Sequence, residues 1–187
     1  MFGVMNMKKI ISLFKRNYET DHKVRNEVVE GAEWVINGEG TATRKYDGAC
    51  CQINKGKLFK RYEVKKDSKP PFGFIPANDI DEITGKQQGW IEVGNDNTDK
   101  WFREAIGGDL NNIDLLDGTY ELVGPKVNGN SDKYEKHTLV RHLDAEEYLD
   151  FPRDFEGIKN KLLSMNIEGI VWHHPDGRMV KIKKKDF

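Results

Sequence analysis

The sequence predicts an α+β protein with mostly antiparallel sheets, and three observations lead there. Short runs rich in β-branched and aromatic residues are set between Gly, Asn and Pro turn signals. Two segments, residues 99–106 and 154–165, carry apolar residues at helical spacing. Two tight turns, Asn54-Lys55-Gly56-Lys57 and His174-Pro175-Asp176-Gly177, join strand-like runs that follow one another directly, as in hairpins.

Taken in order, residues 41–46 and 50–53 read as strands on either side of Asp47-Gly48. The turn at 54–57 then leads into a strand over residues 58–62. Pro70-Pro71, Pro76 and several Gly and Asn make residues 67–97 mostly loop. The helix over 99–106 places Trp101, Phe102, Ala105 and Ile106 on one side and stops at Gly107-Gly108. Residues 120–123 form a strand ended by Gly124-Pro125. Asp154 is positioned to cap a helix through about Met165 that buries Phe155, Ile158, Leu162 and Leu163. A strand from Glu168 to Trp172, the turn at 174–177 and a return strand from Met179 to about Lys184 complete the chain. There is no internal repeat and no low-complexity segment.

The 187 residues suit a single domain with a sizeable core. Charged residues make up 33% of the chain, but 30 Lys+Arg nearly balance 31 Asp+Glu, and aromatics reach 10%, which excludes a disordered polyelectrolyte. No apolar run reaches the roughly 18 to 20 residues of a membrane span. The stretch Lys8-Lys9-Ile10-Ile11-Ser12-Leu13-Phe14 is too short for a signal peptide and runs into Lys15-Arg16. Cys50 and Cys51 are adjacent, which suits neither a disulfide framework nor a zinc finger. The expectation is a soluble cytoplasmic protein of a reducing compartment, monomeric and without a membrane partner. Its charge is segregated: residues 45–69 balance to +5, residues 176–187 to +3 and residues 78–123 to −8. Such runs are either solvated faces or the walls of a polyanion site.

The C-terminal hairpin carries the first chemical argument. Strand alternation turns Val180 and Ile182 one way and Lys181, Lys183 and Lys185 the other. A two- or four-residue turn sets Glu168 opposite Lys185 or Lys183, and a three-residue turn breaks that registry. The pair is either a modest cross-strand ion pair or a site where lysines neutralise phosphate while a carboxylate holds a divalent metal. Lys45, just before the Asp47-Gly48 turn, is either simply exposed or a nucleophile. An amine must be neutral to attack, and at a free pKa of about 10.4 only roughly one part in 10³ to 10⁴ is neutral at pH 7. Nearby cations and partial burial favour the neutral form.

Lys45-Tyr46-Asp47-Gly48 resembles motif I of the covalent nucleotidyltransferases, which comprise ATP-dependent DNA and RNA ligases and mRNA capping enzymes. Arg61, Tyr120-Glu121-Leu122-Val123-Gly124, Glu168-Gly169-Ile170-Val171 and Lys181-Ile182-Lys183 follow in that family's order. Residues 38–48, 119–130 and 176–187 are similar to the small 5′-to-3′ RNA ligases related to vertebrate RNA ligase 1. The resemblance implies an adenylyltransferase-type, ATP-grasp-like ligase domain over residues 1–187. That domain has two antiparallel sheets flanked by helices, ATP between them and no appended OB-fold. It implies Lys45, Asp47, Glu168 and Lys183 as catalytic residues, and Arg44, Lys45, Arg61, Glu121, Glu168, Lys181 and Lys183 as nucleotide contacts. Glu168 is the implied ligand of Mg²⁺ or Mn²⁺.

The implied reaction joins RNA 5′-phosphate and 3′-hydroxyl ends through a lysyl–AMP and an adenylated 5′ end, as in RNA repair. Alternatives are a capping-type guanylyltransferase using GTP, a DNA ligase, and a non-catalytic module that binds RNA ends. Candidate RNA contacts are Lys55, Lys57, Lys60, Lys65, Lys66, Lys184 and Lys185. No residue matches the family's adenine-stacking aromatic. His137 and His142 read as satisfied structural histidines, and Trp34, Trp90, Trp101 and Trp172 as packing residues.

Overall fold

The structure is a computed structural model that describes residues 10–187. Lys8 and Lys9, read above as the start of the N-terminal stretch, lie outside the described residues. In chain order the elements are β1 (Ile11–Ser12), β2 (Phe14–Arg16), β3 (Val24–Val28), α1 (Glu33–Ile36), β4 (Thr41–Lys45), β5 (Ala49–Asn54), β6 (Lys57–Val64) and β7 (Ile75–Pro76). There follow β8 (Gln87–Glu92), α2 (Lys100–Ala105), β9 (Gly118–Val123), β10 (Thr138–Arg141), β11 (Glu147–Tyr148), α3 (Phe155–Ser164), β12 (Gly169–His173) and β13 (Met179–Lys183). The expected α+β class is what forms, with far more strand than helix. No helix among the described residues is long and apolar enough to cross a membrane. The chain divides into two compact units, residues 48–144 and residues 10–47 with 145–187.

The unit of residues 48–144 is built on a six-stranded antiparallel sheet in the order β10-β9-β5-β6-β8-β7. The hairpin expected at 54–57 forms, with Asn54 paired to Lys57 and both turn residues, Lys55 and Gly56, at positive φ (52° and 70°). Alternation along β6 sends Leu58 to a cluster with Cys51, Ile53, Tyr120, Leu122 and Phe102 of α2, and Phe59 to a second cluster with Ala77 and Trp90. Residues 67–97 are mostly loop, as expected, but two strands that the sequence reading did not place lie inside them. β8 pairs with β6 from Phe59↔Glu92 to Val64↔Gln87, and β7 pairs with β8. The run Gln87-Gln88-Gly89-Trp90-Ile91-Glu92 has two amides and a central glycine, so its local strand propensity is weak. A β-carbon at Gly89 would lie 2.4 Å from the carbonyl oxygen of Ile75, so the glycine admits β7. Pairing with β6 therefore outweighs local preference.

The other unit carries a five-stranded sheet in the order β1-β13-β12-β4-β11, antiparallel except where β1 runs parallel to β13, and a β2–β3 hairpin. One face of this sheet presents Ala42, Ile170, Trp172, Val180 and Ile182 to α3 and to Trp34 and Val35 of α1. Val180 and Ile182 are fully buried, as their alternation with lysines predicts. Asp154 caps α3 as expected, its carboxylate accepting the Gly157 N–H at 2.9 Å. Ile158 and Leu162, four residues apart, fill the buried stripe. Leu163, expected inside, is 54% exposed because it falls one residue past that stripe.

Asp154→Ala should leave the Gly157 N–H without its acceptor and lower stability by about 1 kcal/mol. The readout is the urea unfolding midpoint, and an unchanged midpoint would remove the cap from the account.

Candidate active site

The hairpin that joins β12 to β13 closes with a three-residue turn. His174 N–H donates to the Arg178 carbonyl at 2.9 Å, and Gly177 sits at φ 92°. This is the turn length that breaks the expected registry, and the ladder is corrected accordingly: Lys183 pairs with Gly169 and Lys181 with Val171. Glu168, in the bend just ahead of β12, still meets Lys183.

Gly169 explains the arrangement. On its other flank it pairs with Lys45 of β4, so Lys45, Gly169 and Lys183 form one row across three strands. A β-carbon at Gly169 would lie 2.2 Å from the Ile182 carbonyl oxygen and 2.8 Å from the Lys183 Cα. The empty position leaves a trough between two lysines, and the Glu168 carboxylate bridges it. Lys45 Nζ donates to Oε2 at 2.6 Å, and Lys183 Nζ lies 3.1 Å from Oε1. All three side chains are largely shielded, at 20%, 11% and 24% exposure in chain order, so the charges interact in a medium well below bulk water in dielectric. Two cations around one anion leave the cluster with a net positive charge, suited to a phosphate.

Strand alternation places Lys181 on the same face as Lys183 and Lys45, one row along. It places Arg44 on the opposite face, in the row with Ile170 and Ile182. There Arg44 lies 3.4 Å from Glu146 and over the Tyr46 ring at 5.0 Å. Asp47 follows Tyr46 in the segment beyond β4. Among the described residues no group of three or more His, Cys, Asp or Glu is arranged to hold a metal. A single carboxylate such as Glu168 fits Mg²⁺ held jointly by protein, water and a substrate's phosphates, and does not fit a dedicated protein cage.

In the unit of residues 48–144, Glu121 and Arg61 line a cleft of about 480 Å³ with Gly48, Cys50, Lys60 and Gln88. Arg61 Nε donates to Gln88 at 3.0 Å. Glu121 Oε1 accepts the Gly48 N–H at 3.2 Å, and Asn128 Nδ2 donates to the Gly48 carbonyl at 2.9 Å. Both peptide groups of Gly48 are thus held, and a β-carbon there would lie 2.1 Å from the Leu122 carbonyl oxygen. His142 grips the remaining oxygen of Glu121 at 3.0 Å and Thr119 Oγ1 at 3.0 Å. His142 is satisfied, as expected, but by the candidate glutamate itself. Sequence reading gave no role to Asn128, although Asn128-Gly129-Asn130 is a signal for consecutive positive φ values, here 44°, 72° and 54°.

The remaining readings divide cleanly. His137 stacks on Trp101 at 4.4 Å and bonds Glu104 at 2.8 Å, so it is structural. Trp34, Trp90 and Trp172 are core residues. Of the seven candidate RNA contacts, Lys57 pairs with Glu92, Lys60 with buried Asp99, and Lys184 Nζ donates to the Met165 carbonyl. Lys55, Lys65, Lys66 and Lys185 are exposed.

No family model matches the chain. RNA ligase 1 of Pongo abelii is 27% identical to it over 76% of this chain and 65% of the relative. RNA ligase 1 of Rattus norvegicus is 26% identical and that of Danio rerio 24%, each over 76% of this chain and 66% of the relative. The chain is related to RNA ligase 1. It spans just under two thirds of the length of these relatives. In this relative of RNA ligase 1, the row Lys45–Gly169–Lys183 with Glu168 across it brings together three side chains that the sequence had singled out.

Gly169→Ala should force β13 away from β12 and cost about 1 to 3 kcal/mol or more. Chemical denaturation measures this, and a wild-type midpoint would mean that the close approach at Gly169 does not constrain the sheet.

Proposed function

We propose that the chain is an ATP-dependent RNA ligase that works through covalent lysyl–AMP. The observation that carries the reading is the Glu168 carboxylate bridging Lys45 and Lys183 across Gly169, in a chain related to RNA ligase 1. Lys45 Nζ gives up a proton, for which Glu168 Oε2 is the acceptor within reach, and attacks the α-phosphorus of ATP. The bond to pyrophosphate breaks and a phosphoramidate forms. AMP then passes to an RNA 5′-phosphate, and a 3′-hydroxyl displaces it to make the phosphodiester. Lys181 and Lys183 stabilise charge developing on the phosphate oxygens. A divalent cation, Mg²⁺ or Mn²⁺, would neutralise phosphate charge when bound, and Glu168 would hold it. Arg61 and Glu121 are the proposed nucleotide contacts, Glu121 also fixing Gly48. Arg44 is assigned instead to holding Tyr46 and Glu146, since its row faces away from Lys45.

Incubation with ATP and Mg²⁺ should raise the intact mass of the protein by one AMP, on the peptide that contains Lys45. Lys45→Ala should abolish the adduct, and an undiminished adduct in that variant would end the assignment. The same incubation with GTP separates a guanylyltransferase, which would take label from GTP in preference.

Lys183→Ala should slow adduct formation by about 30-fold to 1000-fold, the effect of losing roughly 2 to 4 kcal/mol of transition-state stabilisation. A single-turnover rate equal to wild type would place Lys183 outside the phosphate site.

A further inference from the structure

A second feature lies in the same unit as Lys45. A cleft of about 870 Å³ opens between the β2–β3 hairpin and the β1–β13 edge. Among the described residues its lining includes Lys15, Arg16, Lys23, Lys181, Lys183 and Lys185 against the carboxylates of Asp21 and Asp186, a net charge of +4. Asp186 is itself engaged: it pairs with Arg16, and its other oxygen accepts the Lys183 N–H at 2.9 Å. Lys15 pairs with Glu27, and both side chains are mostly exposed, at 59% and 65%. Such a pair is worth little and its ammonium is easily redirected. Lys23 Nζ ties the hairpin to the C-terminal turn through the Lys185 carbonyl at 2.9 Å.

The volume is at the large end for a small-molecule site, and the cations are spread along the walls from Lys15 to Lys185. That distribution suits a chain of phosphates better than one phosphate group. Tyr18 lines the same cleft, is 71% exposed, and meets the His22 ring edge-on with centroids 6.1 Å apart. A basic groove with an exposed aromatic is the physical recipe for a single nucleic-acid strand, whose backbone the cations track and whose bases stack. The cleft shares Lys181 and Lys183 with the Lys45 face, so a strand lying in it reaches the phosphate-handling lysines.

We propose that this cleft binds a single RNA strand through its phosphates, with one base stacked on Tyr18. The identity of the strand as RNA rests on the ligase reading; the groove itself does not. Neither Lys15 nor Tyr18 was among the residues that the sequence reading assigned to RNA.

The test is fluorescence anisotropy of a short, 5′-phosphorylated, labelled single-stranded RNA with the full chain, run beside ATP-dependent adduct formation. Tyr18→Ala should weaken binding by roughly 5-fold to 150-fold, the worth of one stacked base, and Tyr18→Phe should restore it. Lys15→Ala should flatten the slope of log affinity against log salt by about 0.7, the release from one neutralised phosphate. Both sites are exposed, so melting temperatures should stay at wild type. The AMP adduct should form at the wild-type rate in all three variants. Wild-type affinity in Tyr18→Ala, or an unaltered salt slope in Lys15→Ala, overturns the proposal. So does a fall in adduct formation parallel to the fall in RNA binding, which would give the cleft to the phosphates of the nucleotide instead. If the wild-type protein forms no adduct, the ligase reading fails while the binding comparison still decides the cleft.

Discussion

Two ammonium groups on the same face of strands that flank a third repel each other, and the structure around Lys45 is a solution to that problem. The strand between them contributes a glycine, so no side chain separates Lys45 from Lys183, and the Glu168 carboxylate enters the gap. Each part requires the others. A side chain at residue 169 would strike the β13 backbone, and without Glu168 two partly buried cations would stand side by side. The cluster keeps a surplus of positive charge, which a phosphate can neutralise. The core face of the same strands, with Ile170, Trp172, Val180 and Ile182, fixes the backbone on which this balance rests.

A similar economy governs Gly48. Its position tolerates no β-carbon, and its N–H and carbonyl are taken by Glu121 and Asn128. Glu121 is in turn oriented by His142. The glycine of the Lys45-Tyr46-Asp47-Gly48 motif therefore has a steric reason, and the glutamate seventy-three residues later has a structural duty besides the nucleotide contact proposed for it. Motif residues of both kinds can be tested for folding and for chemistry separately.

Much of the fold was legible where local signals were strong. The 54–57 hairpin, the α2 and α3 helices with the Asp154 cap, and the buried Val180/Ile182 stripe follow from turn chemistry, capping and alternation. β8 was not legible, because a strand with weak propensity gains its stability from pairing with β6, and nothing within Gln87–Glu92 announces that partner. β1, β2, β7 and β11, of two or three residues each, and β3 and β10 were not read as strands either. The β12–β13 registry turned on one residue of turn length, which composition does not reveal.

The sequence by itself determined the α+β class, the order of the motifs and the identity of the residues worth watching: Lys45, Glu168, Lys181 and Lys183, and Arg61 and Glu121. Residue types and spacings along one chain suffice for that, since propensity, alternation and side-chain chemistry are local properties. Tertiary structure decided which of them meet. It placed Arg44 on the far face from Lys45, put His142 on Glu121, brought Glu168 to Lys183 despite the shifted registry, and gathered Lys15, Tyr18 and Lys185 around one cleft. These are encounters between residues as much as 170 positions apart, like Arg16 with Asp186, and they depend on strand order and register. Pairing energies spread over whole sheets set that order, and no short stretch of sequence contains them.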